Sequence, residues 1–291
     1  MKTSLLKAYV LTVDTGSMAE AARRLDLTPA AVALQIRTLE KEWGVQLVAR
    51  VGKTVRATEA GHRVLESCRT LLRDAANLKA LAHQGEMSGE LRLGSVNTAL
   101  NSLLPDVLAQ LIVAYPKLKF HIRSALSSEL FEAVQRGELD AAVCLHPQFA
   151  LPKTCGWQLL REEALIVLAP LHLAGQDPHS LLDSMPFIRY DRTQWGGQQA
   201  ERYLRTTGIV PQERFELSHL AAIFTLVGRG LGVALIPDAV MPLELTANVV
   251  KLPLPLMTQA RKLGVIWQRA SIHEKLINIF VQHAKTYCQP G

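Results

Sequence analysis

Two helix-start signals lie close together near the N-terminus of this chain. Ser17 precedes an alanine-rich stretch, and Thr28 followed by Pro29 supplies a second N-cap with proline at the first helical position. Gly44 then ends the second helix, because glycine readily adopts the left-handed conformation that closes helices. This spacing leaves room for a short helix, a tight turn and a second helix. It predicts a helix-turn-helix unit at about residues 18–37.

A further amphipathic helix precedes this unit, since apolar residues recur at helical spacing over residues 3–14. In the helix that begins after Thr28, one apolar stripe is predicted to face the core. It consists of Val32, Ile36, Leu39 and Trp43. Helical geometry turns the opposite positions outward. They are Ala30, Ala33, Leu34, Arg37 and Lys41.

Residues 46–58, QLVARVGKTVRAT, predict two short strands joined by a tight turn. This hairpin carries Arg50, Lys53 and Arg56, and a basic hairpin beside a helix-turn-helix can contact phosphates. The charge distribution agrees, since residues 1–88 contain 13 Lys and Arg against 9 Asp and Glu, whereas the remainder contains 19 against 17. The excess of positive charge favours a polyanion as a partner of the N-terminal end.

The first 61 residues resemble the N-terminal domain of LysR-type transcriptional regulators. The matching positions are Gly16-Ser17, Ala21-Ala22, Leu25, Ala31-Val32, Gln35-Ile36, Leu39-Glu40, Gly44, Leu47, Arg50, Thr58 and Ala60-Gly61. The resemblance implies a mixed fold: a mainly α winged helix-turn-helix domain at 1–58, a long linker helix at 59–88 and a C-terminal effector-binding domain at 89–291. It implies double-stranded DNA as a partner. The candidate DNA-binding residues are Ser17, Thr28, Pro29, Ala30, Ala33, Leu34, Arg37, Arg50, Lys53 and Arg56.

The chain departs from the family where the recognition helix begins. LysR-type regulators commonly have Ser-Gln-Pro or Ser-Gln-Ser there and a serine shortly after Ala-Val, whereas this chain has Thr28-Pro29-Ala30 and Ala33. Alanine and leucine cannot hydrogen-bond to bases, but they can contact the thymine methyl group, so this helix would read DNA through apolar contact and shape. Alternatively, the alanines only permit tight packing. The protein would then have weakened sequence reading and act mainly as a ligand- or protein-binding module.

Apolar residues over residues 59–88 are spaced alternately three and four apart, as in the seam of a coiled coil. The seam consists of Gly61 and the candidate dimerisation residues Val64, Cys68, Leu71, Ala75, Leu78 and Ala82. Pairing along it would present two recognition helices to two half-sites on DNA, so we expect a homodimer or homotetramer. The alternative is a helix that packs on the core of its own domain.

Residues 89–291 alternate predicted strands with predicted helices, a pattern typical of an α/β fold with parallel strands. Two such series resemble the two-lobed effector domain of the LysR family, which is itself similar to periplasmic solute-binding proteins. We expect lobe I at about 89–161 and 268–291, and lobe II at about 162–267. Ligands in open α/β sheets lie beyond the C-terminal ends of strands, beside helix N-termini.

Polar side chains follow the predicted strands of both lobes at such positions. The candidate effector-binding residues are Ser95, Asn97, Thr98, Ser127, Ser128, His146, Asp191, Arg192, Thr193, Gln194 and Ser218. Arg192 is the only cation among them, so we expect it to hold a carboxylate of a small-molecule effector. Ser127 and Ser218 can instead be helix caps, and Arg192 can instead pair with Asp191 or Glu201.

Other function classes find little support in the sequence. Nucleophile-elbow and HExxH motifs are absent, so we expect no enzyme, no metal site and no cofactor. The four cysteines are Cys68, Cys144, Cys155 and Cys288. They form no CxxC motif, and a peroxide-sensing pair of Cys144 and Cys155 would lack a basic neighbour that lowers a thiol pKa.

The first 20 residues lack the continuous apolar core of a secretory signal, and no apolar run approaches the length of a membrane span. A solute-binding protein of the transport type would need an export signal and no helix-turn-helix. We therefore expect a cytoplasmic protein with no membrane partner, with RNA polymerase as a further candidate partner.

Overall fold

The computed structural model describes residues 2–52, 54–82 and 88–288, with the backbone alone described at residues 77, 79–82 and 88. The chain divides into two compact units. The N-terminal unit is Met1–Glu90 with Lys117–Lys119, and the C-terminal unit is Leu91–Pro116 with Phe120–Gly291. No helix in the described ranges has both the length and the apolar character that crossing a membrane requires.

The N-terminal unit combines short helices with one β-hairpin, as the sequence predicts. Its elements are α1 (Thr3–Thr15), α2 (Met18–Leu25), α3 (Pro29–Trp43), β1 (Val48–Val51), β2 (Thr54–Ala57) and α4 (Glu59–Ala82). Side-chain oxygens begin the two helices of the helix-turn-helix. Ser17 Oγ accepts a hydrogen bond from the backbone N–H of Glu20 at 3.3 Å, and Thr28 Oγ1 accepts one from that of Ala31 at 3.2 Å.

The core of this unit fixes where the hairpin lies. Leu39 is buried in a cluster with Leu6 and Tyr9 of α1, which turns the next residue, Glu40, toward the start of β1. The Glu40 carboxylate accepts hydrogen bonds from the backbone N–H groups of Leu47 at 2.7 Å and Val48 at 3.1 Å. The Leu-Glu pair of the sequence therefore joins α3 to the hairpin.

The first half of α4 packs on its own unit. Cys68 is buried in the cluster that contains Leu6 and Tyr9. Gly61 permits the close approach of helix and loop, because a Cβ at this position would lie only 2.2 Å from the carbonyl oxygen of Leu47. The heptad spacing is thus used here within one chain, since it also describes one side of any helix that packs on a neighbour.

This packing corrects the predicted dimerisation seam. Cys68 is 1% exposed in the chain's own core, so the prediction that it meets a second copy is wrong, whereas Val64 packs against this core but is only partly buried. Leu71 and Leu78 are about half exposed and Ala75 is partly buried, so this part of the seam remains open to a partner. The side chain of Ala82 lies outside the described residues.

The C-terminal unit contains two lobes. Lobe I consists of β3 (Ser88–Ser95), α5 (Asn97–Leu100), α6 (Leu103–Ala114), β4 (Lys117–Ser124), α7 (Ser127–Gln135), β5 (Ala141–Leu145), β6 (Cys155–Glu163), β12 (Arg261–Gln268) and α12 (Glu274–Cys288). Lobe II consists of β7 (Leu165–Pro170), a 3-10 turn (Leu171–Leu173), α8 (Pro178–Ser184), β8 (Pro186–Tyr190), α9 (Trp195–Thr207), β9 (Gln212–Leu217), α10 (Leu220–Gly228), β10 (Ala234–Pro237), α11 (Leu243–Thr246) and β11 (Val249–Pro253).

The sheets are mixed and not uniformly parallel as predicted. Lobe I has the strand order β4-β3-β5-β12-β6, in which β3 and β5 are parallel but β12 is antiparallel to both neighbours. In lobe II, β7 lies antiparallel between β10 and β11, while β8 and β9 are parallel. The sheets are mixed because the chain crosses between the lobes twice. It passes from lobe I to lobe II between β6 and β7, and it returns from lobe II to lobe I between β11 and β12.

The return crossing also corrects the predicted lobe boundary. The sequence predicts residues 261–267 in lobe II, but they belong to β12, which lies between β5 and β6 in the lobe I sheet. The chain therefore leaves lobe I after Glu163 and re-enters it at Arg261. These two residues are register partners at the edge of the sheet, so the two crossings lie side by side.

Candidate functional site

Helix α3 presents one side to solvent. Its buried residues are Val32, Ile36 and Leu39. Ala30 is exposed, Ala33 is partly buried, and Leu34 is 64% exposed. Leu34 adds little to the core, so this side of α3 can contact a partner, as the helical spacing predicts.

Three arginines of α3 and the hairpin have no ion-pair partner within the described part of the chain. They are Arg37 on α3, Arg50 on β1 and Arg56 on β2, and all three are exposed. Arg50 Nε donates only to the carbonyl oxygen of Gly52, at 3.3 Å. Other arginines of this unit pair with carboxylates, as Arg24 does with Glu20 at 3.1 Å. Arginines without a carboxylate partner keep their charge for a polyanion.

The remaining predicted contact residues lie at helix starts and in the hairpin turn. Ser17 and Thr28 accept hydrogen bonds from their own helices, so each hydroxyl still has a hydrogen to donate to an acceptor such as a phosphate oxygen. Thr28 and Pro29 are exposed, whereas Ser17 is partly buried. Lys53, the predicted tip of the hairpin, lies outside the described residues.

A cavity of about 370 Å³ lies between the two lobes of the C-terminal unit. Lobe I lines it with Val96, Asn97, Thr98, Ser124, Ala125, Leu126, Ser127, Glu129, Leu145 and Arg261, and lobe II with Tyr190, Gln194, Ser218, His219 and Leu220. We call it the polar cavity. Five predicted effector-binding residues meet there: Asn97, Thr98, Ser127, Gln194 and Ser218. Strand-end positions from both lobes therefore converge, as an open α/β sheet requires.

A second cavity, of about 580 Å³, adjoins the first. The two share Leu126, Ser127, Leu145 and Gln194. Three more predicted residues line it: Ser128, His146 and Thr193. Its distinctive members are aromatic, namely Phe131, Phe149 and Trp195, with Phe131 and Phe149 edge to face at 5.3 Å between ring centres. We call it the aromatic cavity.

Arg261 is the cation of the polar cavity, and sequence reasoning missed it. The side chain is 3% exposed, and its Nε donates to a carboxylate oxygen of Glu163 at 2.5 Å. Nη2 is buried and has no hydrogen-bond partner among the described residues. Tyr190 lies beside the guanidinium: burial raises the pKa of its hydroxyl, and the charge of Arg261 opposes that increase. The pair Arg261–Glu163 thus leaves one guanidinium nitrogen without an acceptor.

The only sequence signal for Arg261 was a basic residue that opens an apolar strand. Its partner Glu163 is 98 positions away, and the predicted lobe boundary between residues 267 and 268 assigns Arg261 to lobe II. A distant cross-strand pair of this kind depends on the register of β6 and β12, which no local pattern specifies.

Arg192 does not hold a ligand in the cleft, and this prediction is wrong. The guanidinium is 43% exposed and binds Glu213 and Glu216, each at 2.7 Å, with Glu201 at 3.8 Å. It lines a separate surface depression of lobe II. The alternative prediction, in which Arg192 pairs with Glu201, is nearer to the structure, because Arg192 lies beside three carboxylates that include Glu201.

Two further predicted residues also lie away from both cavities. Ser95 is fully buried and donates to the carbonyl oxygen of Val96 at 3.0 Å. Asp191 accepts hydrogen bonds from the backbone N–H and the hydroxyl of Thr193, both at 2.8 Å. Both side chains therefore stabilise local turns. Neither side chain lines the cleft, contrary to the prediction.

Cys144 is poorly suited to redox chemistry. Burial raises the pKa of the Cys144 thiol to about 12, so the thiolate is scarce at neutral pH. Cys144 and Cys155 lie on β5 and β6, which are separated by β12. No group of three or more His, Cys, Asp or Glu side chains in the described ranges is arranged to hold a metal ion.

Comparison with known proteins matches both parts of the chain to one family. Residues 3–62 match the family described as bacterial regulatory helix-turn-helix protein, lysR family, and residues 84–289 match the LysR substrate binding domain. The HTH-type transcriptional activator IlvY of Salmonella typhimurium is 28% identical over 286 residues, covering 94% of this chain and 96% of the relative. The hydrogen peroxide-inducible genes activator of Haemophilus influenzae is 28% identical over 239 residues, covering 79% and 78%.

The fold also matches solved structures over its whole length. Full-length CbnR complexed with its target DNA superposes with a TM-score of 0.66 at 18% identity, covering 99% of this chain and 100% of that one. The two family matches span nearly the whole sequence and identify the chain. It belongs to the LysR family of bacterial regulatory helix-turn-helix proteins and is a DNA-binding transcriptional regulator with a C-terminal effector-binding domain.

Proposed function

We propose that this regulator grips a two-fold symmetric DNA site with α3 and the hairpin, and that a small molecule in the cleft between the lobes controls that binding. The observation that supports DNA contact here is the set of exposed arginines without carboxylate partners, Arg37, Arg50 and Arg56. Each supplies charge for a phosphate, while Ala30, Ala33 and Leu34 face the bases through apolar contact. Ser17, Thr28, Pro29 and Lys53 complete the interface.

Pairing of two copies follows from the exposed part of α4. Leu71 and Leu78 are large apolar side chains seven residues apart, and both are about half exposed. A second α4 that covers them would form a short coiled-coil contact, with Ala75 between them. The homodimer, and a homotetramer built from it, present paired recognition helices to paired half-sites. Such a regulator of chromosomal genes acts in the cytoplasm, with RNA polymerase as its further partner.

Effector control follows from the place of the polar cavity. Its lining comes from both lobes, so a ligand that contacts both stabilises one relative position of the lobes. The ligand shifts the protein toward the assembly that binds it better. Asn97, Thr98 and Ser127 act from lobe I, and Gln194 and Ser218 from lobe II. Ser128, His146 and Thr193 act from the aromatic cavity.

The DNA contacts are tested through salt dependence. Each lost phosphate contact reduces the slope of log K against log salt by about 0.9. Arg37→Gln with Arg56→Gln removes two cations per copy, so the slope for a dimer falls by about three to four. Arg205→Gln is the matched control, because Arg205 is an exposed arginine of α9 that pairs with Glu201. The assay is fluorescence anisotropy on a site selected from genomic fragments.

An unchanged slope in the double variant contradicts the interface. Binding with the same affinity to every duplex would instead favour the second candidate, a ligand- or protein-binding module with weakened sequence reading, because α3 presents alanine and leucine rather than polar side chains. Effector control is tested by repeating the anisotropy titration with small molecules. No change in operator affinity with any ligand that binds the cleft contradicts it.

A further inference from the structure

We infer that α3 reads the C5 methyl group of pyrimidines, so that 5-methylcytosine takes the place of thymine in the DNA site and binding responds to cytosine methylation. The inference rests on the proposed function, because it names the chemical group that α3 recognises at the proposed DNA interface.

The first step is the chemistry of the first two turns of α3. Residues 29–34, PAAVAL, have no side chain that donates or accepts a hydrogen bond. Gln35 is the first polar side chain after them, but it is partly buried and its Oε1 is shielded from solvent. The recognition helix of a helix-turn-helix places its N-terminal residues against the base edges. The bases that meet residues 29–34 are therefore read without hydrogen bonds from their side chains.

The second step is the shape of the exposed side of this segment. Ala30 and Leu34 lie one turn apart on the same side of α3, Ala30 exposed and Leu34 64% exposed. Leu34 is the longest side chain among residues 29–34, so it projects beyond the alanines. Its carbon atoms meet water in the free protein, and covering them with an apolar group of the partner gains hydrophobic free energy.

The third step identifies DNA, rather than a protein, as the partner that covers Leu34. Arg37 and Lys41 follow on the same side of α3, and both are exposed cations. The hairpin adds the exposed cations Arg50 and Arg56. An apolar strip with cations beside it is complementary to a DNA groove, because the base edges form the floor of the groove and phosphates line its sides.

The fourth step is the only apolar group that a base presents in the major groove. Among the four bases, thymine alone carries a methyl group there, on C5. 5-Methylcytosine carries a methyl on the same ring carbon. The two bases differ at C4, where thymine has an acceptor oxygen and cytosine a donor amino group. Residues 29–34 have no polar side chain that distinguishes these groups, so this part of α3 accepts both bases.

The test uses the full-length protein and a symmetric site selected from genomic fragments. Replacing each symmetry-related pair of thymines in turn with deoxyuridine locates the methyl groups that are read. Those positions are then occupied by T·A, U·A, 5-methyl-C·G or C·G, and affinities are measured by fluorescence anisotropy. Burial of one methyl group changes affinity about fourfold, so we expect U·A and C·G duplexes to bind about tenfold more weakly than T·A and 5-methyl-C·G duplexes.

Two results overturn the inference. The first is an affinity that follows the identity of the base pair, with 5-methylcytosine binding no better than cytosine. The second is a site in which no deoxyuridine substitution weakens binding.

The variants assign the methyl effect to α3. Leu34→Ala shortens a side chain that is 64% exposed, so the fold is retained, and the difference between methylated and unmethylated duplexes should fall to about threefold or less. Leu243→Ala is the matched control, because it removes a leucine that is 79% exposed in lobe II. It should leave the full methyl effect. A full methyl effect in Leu34→Ala overturns the inference.

The outcomes separate this inference from the proposed function. If the double variant Arg37→Gln with Arg56→Gln reduces the salt slope but 5-methylcytosine binds no better than cytosine, the phosphate contacts stand and the methyl inference fails. If affinity follows the methyl group and Leu34→Ala removes the effect, while the salt slope of the double variant is unchanged, methyl reading stands and the proposed phosphate contacts fail.

Discussion

The pair Arg261–Glu163 gives a stability prediction that can be worked out from burial alone. Arg261→Gln leaves the Glu163 carboxylate, whose side chain is 2% exposed, without its cation. Removing one partner of a buried ion pair costs about 3–5 kcal/mol, because the remaining charge stays away from water. Glu163→Gln should cost a similar free energy, since it leaves the Arg261 guanidinium in the same position.

The double variant should be much less destabilised than the sum of the single variants. Two amides at these positions carry no charge and can still form a hydrogen bond, so we expect an interaction free energy of about 2–3 kcal/mol in the double-mutant cycle. With a urea slope of about 3 kcal/mol per molar, each single variant should lower the unfolding midpoint by about 1–1.7 M.

Urea unfolding of the full-length protein, followed by tryptophan fluorescence and circular dichroism, measures these free energies. Trp157 and Trp267 lie on β6 and β12, the strands that hold the pair, so their emission reports this lobe. Arg192→Gln is the control, because that guanidinium is 43% exposed and exposed ion pairs contribute about 0–1 kcal/mol. Single variants that cost less than about 1 kcal/mol, or single costs that simply add in the double variant, would refute the reasoning.

Three further predictions concern other parts of the chain. Cys144, with its pKa raised to about 12 by burial, should resist iodoacetamide in the native protein at pH 8, and rapid labelling detected by mass spectrometry would contradict this. Gly61→Ala should destabilise the N-terminal unit by about 1–3 kcal/mol in thermal unfolding, because its Cβ would meet Leu47. A hydrogen bond from Arg189 lowers the pKa of the Glu213 carboxyl, so the ionised carboxylate stabilises the folded protein at neutral pH. This stabilisation is lost as the pH falls through the lowered pKa, and the melting temperatures of the wild type and Glu213→Gln should therefore converge on acidification.

Local patterns predicted most of the N-terminal unit. The caps at Ser17 and Thr28, the 3.6-residue spacing of Val32 and Ile36, and Gly44 are short-range signals, and the structure has helices where they indicate. The direction in which Leu34 points follows from the same spacing. The heptad pattern of α4 predicts the wrong partner for Cys68, because such a pattern fits both a helix that packs on a second copy and a helix that packs on its own domain.

The cleft could be predicted only in part. Polar residues at strand ends, such as Asn97 and Ser218, reach the polar cavity because the ends of parallel strands share one edge of a sheet. Arg192 sits at an equivalent position, yet three glutamates on neighbouring elements draw it away. Which cation serves a strand-end cleft therefore depends on partners that the local sequence does not reveal.

Local patterns specify the helix-turn-helix, its outward face and the α/β character of the remainder, because these depend on residues within one or two helical turns of each other. Contacts between distant parts of the chain settle that β12 returns to lobe I, that half of the α4 seam is internal, and that Arg261 of the cleft pairs with Glu163. Those outcomes depend on strand register and on contacts across 98 positions of chain, where hydrophobic burial and charge pairing are settled by the whole fold.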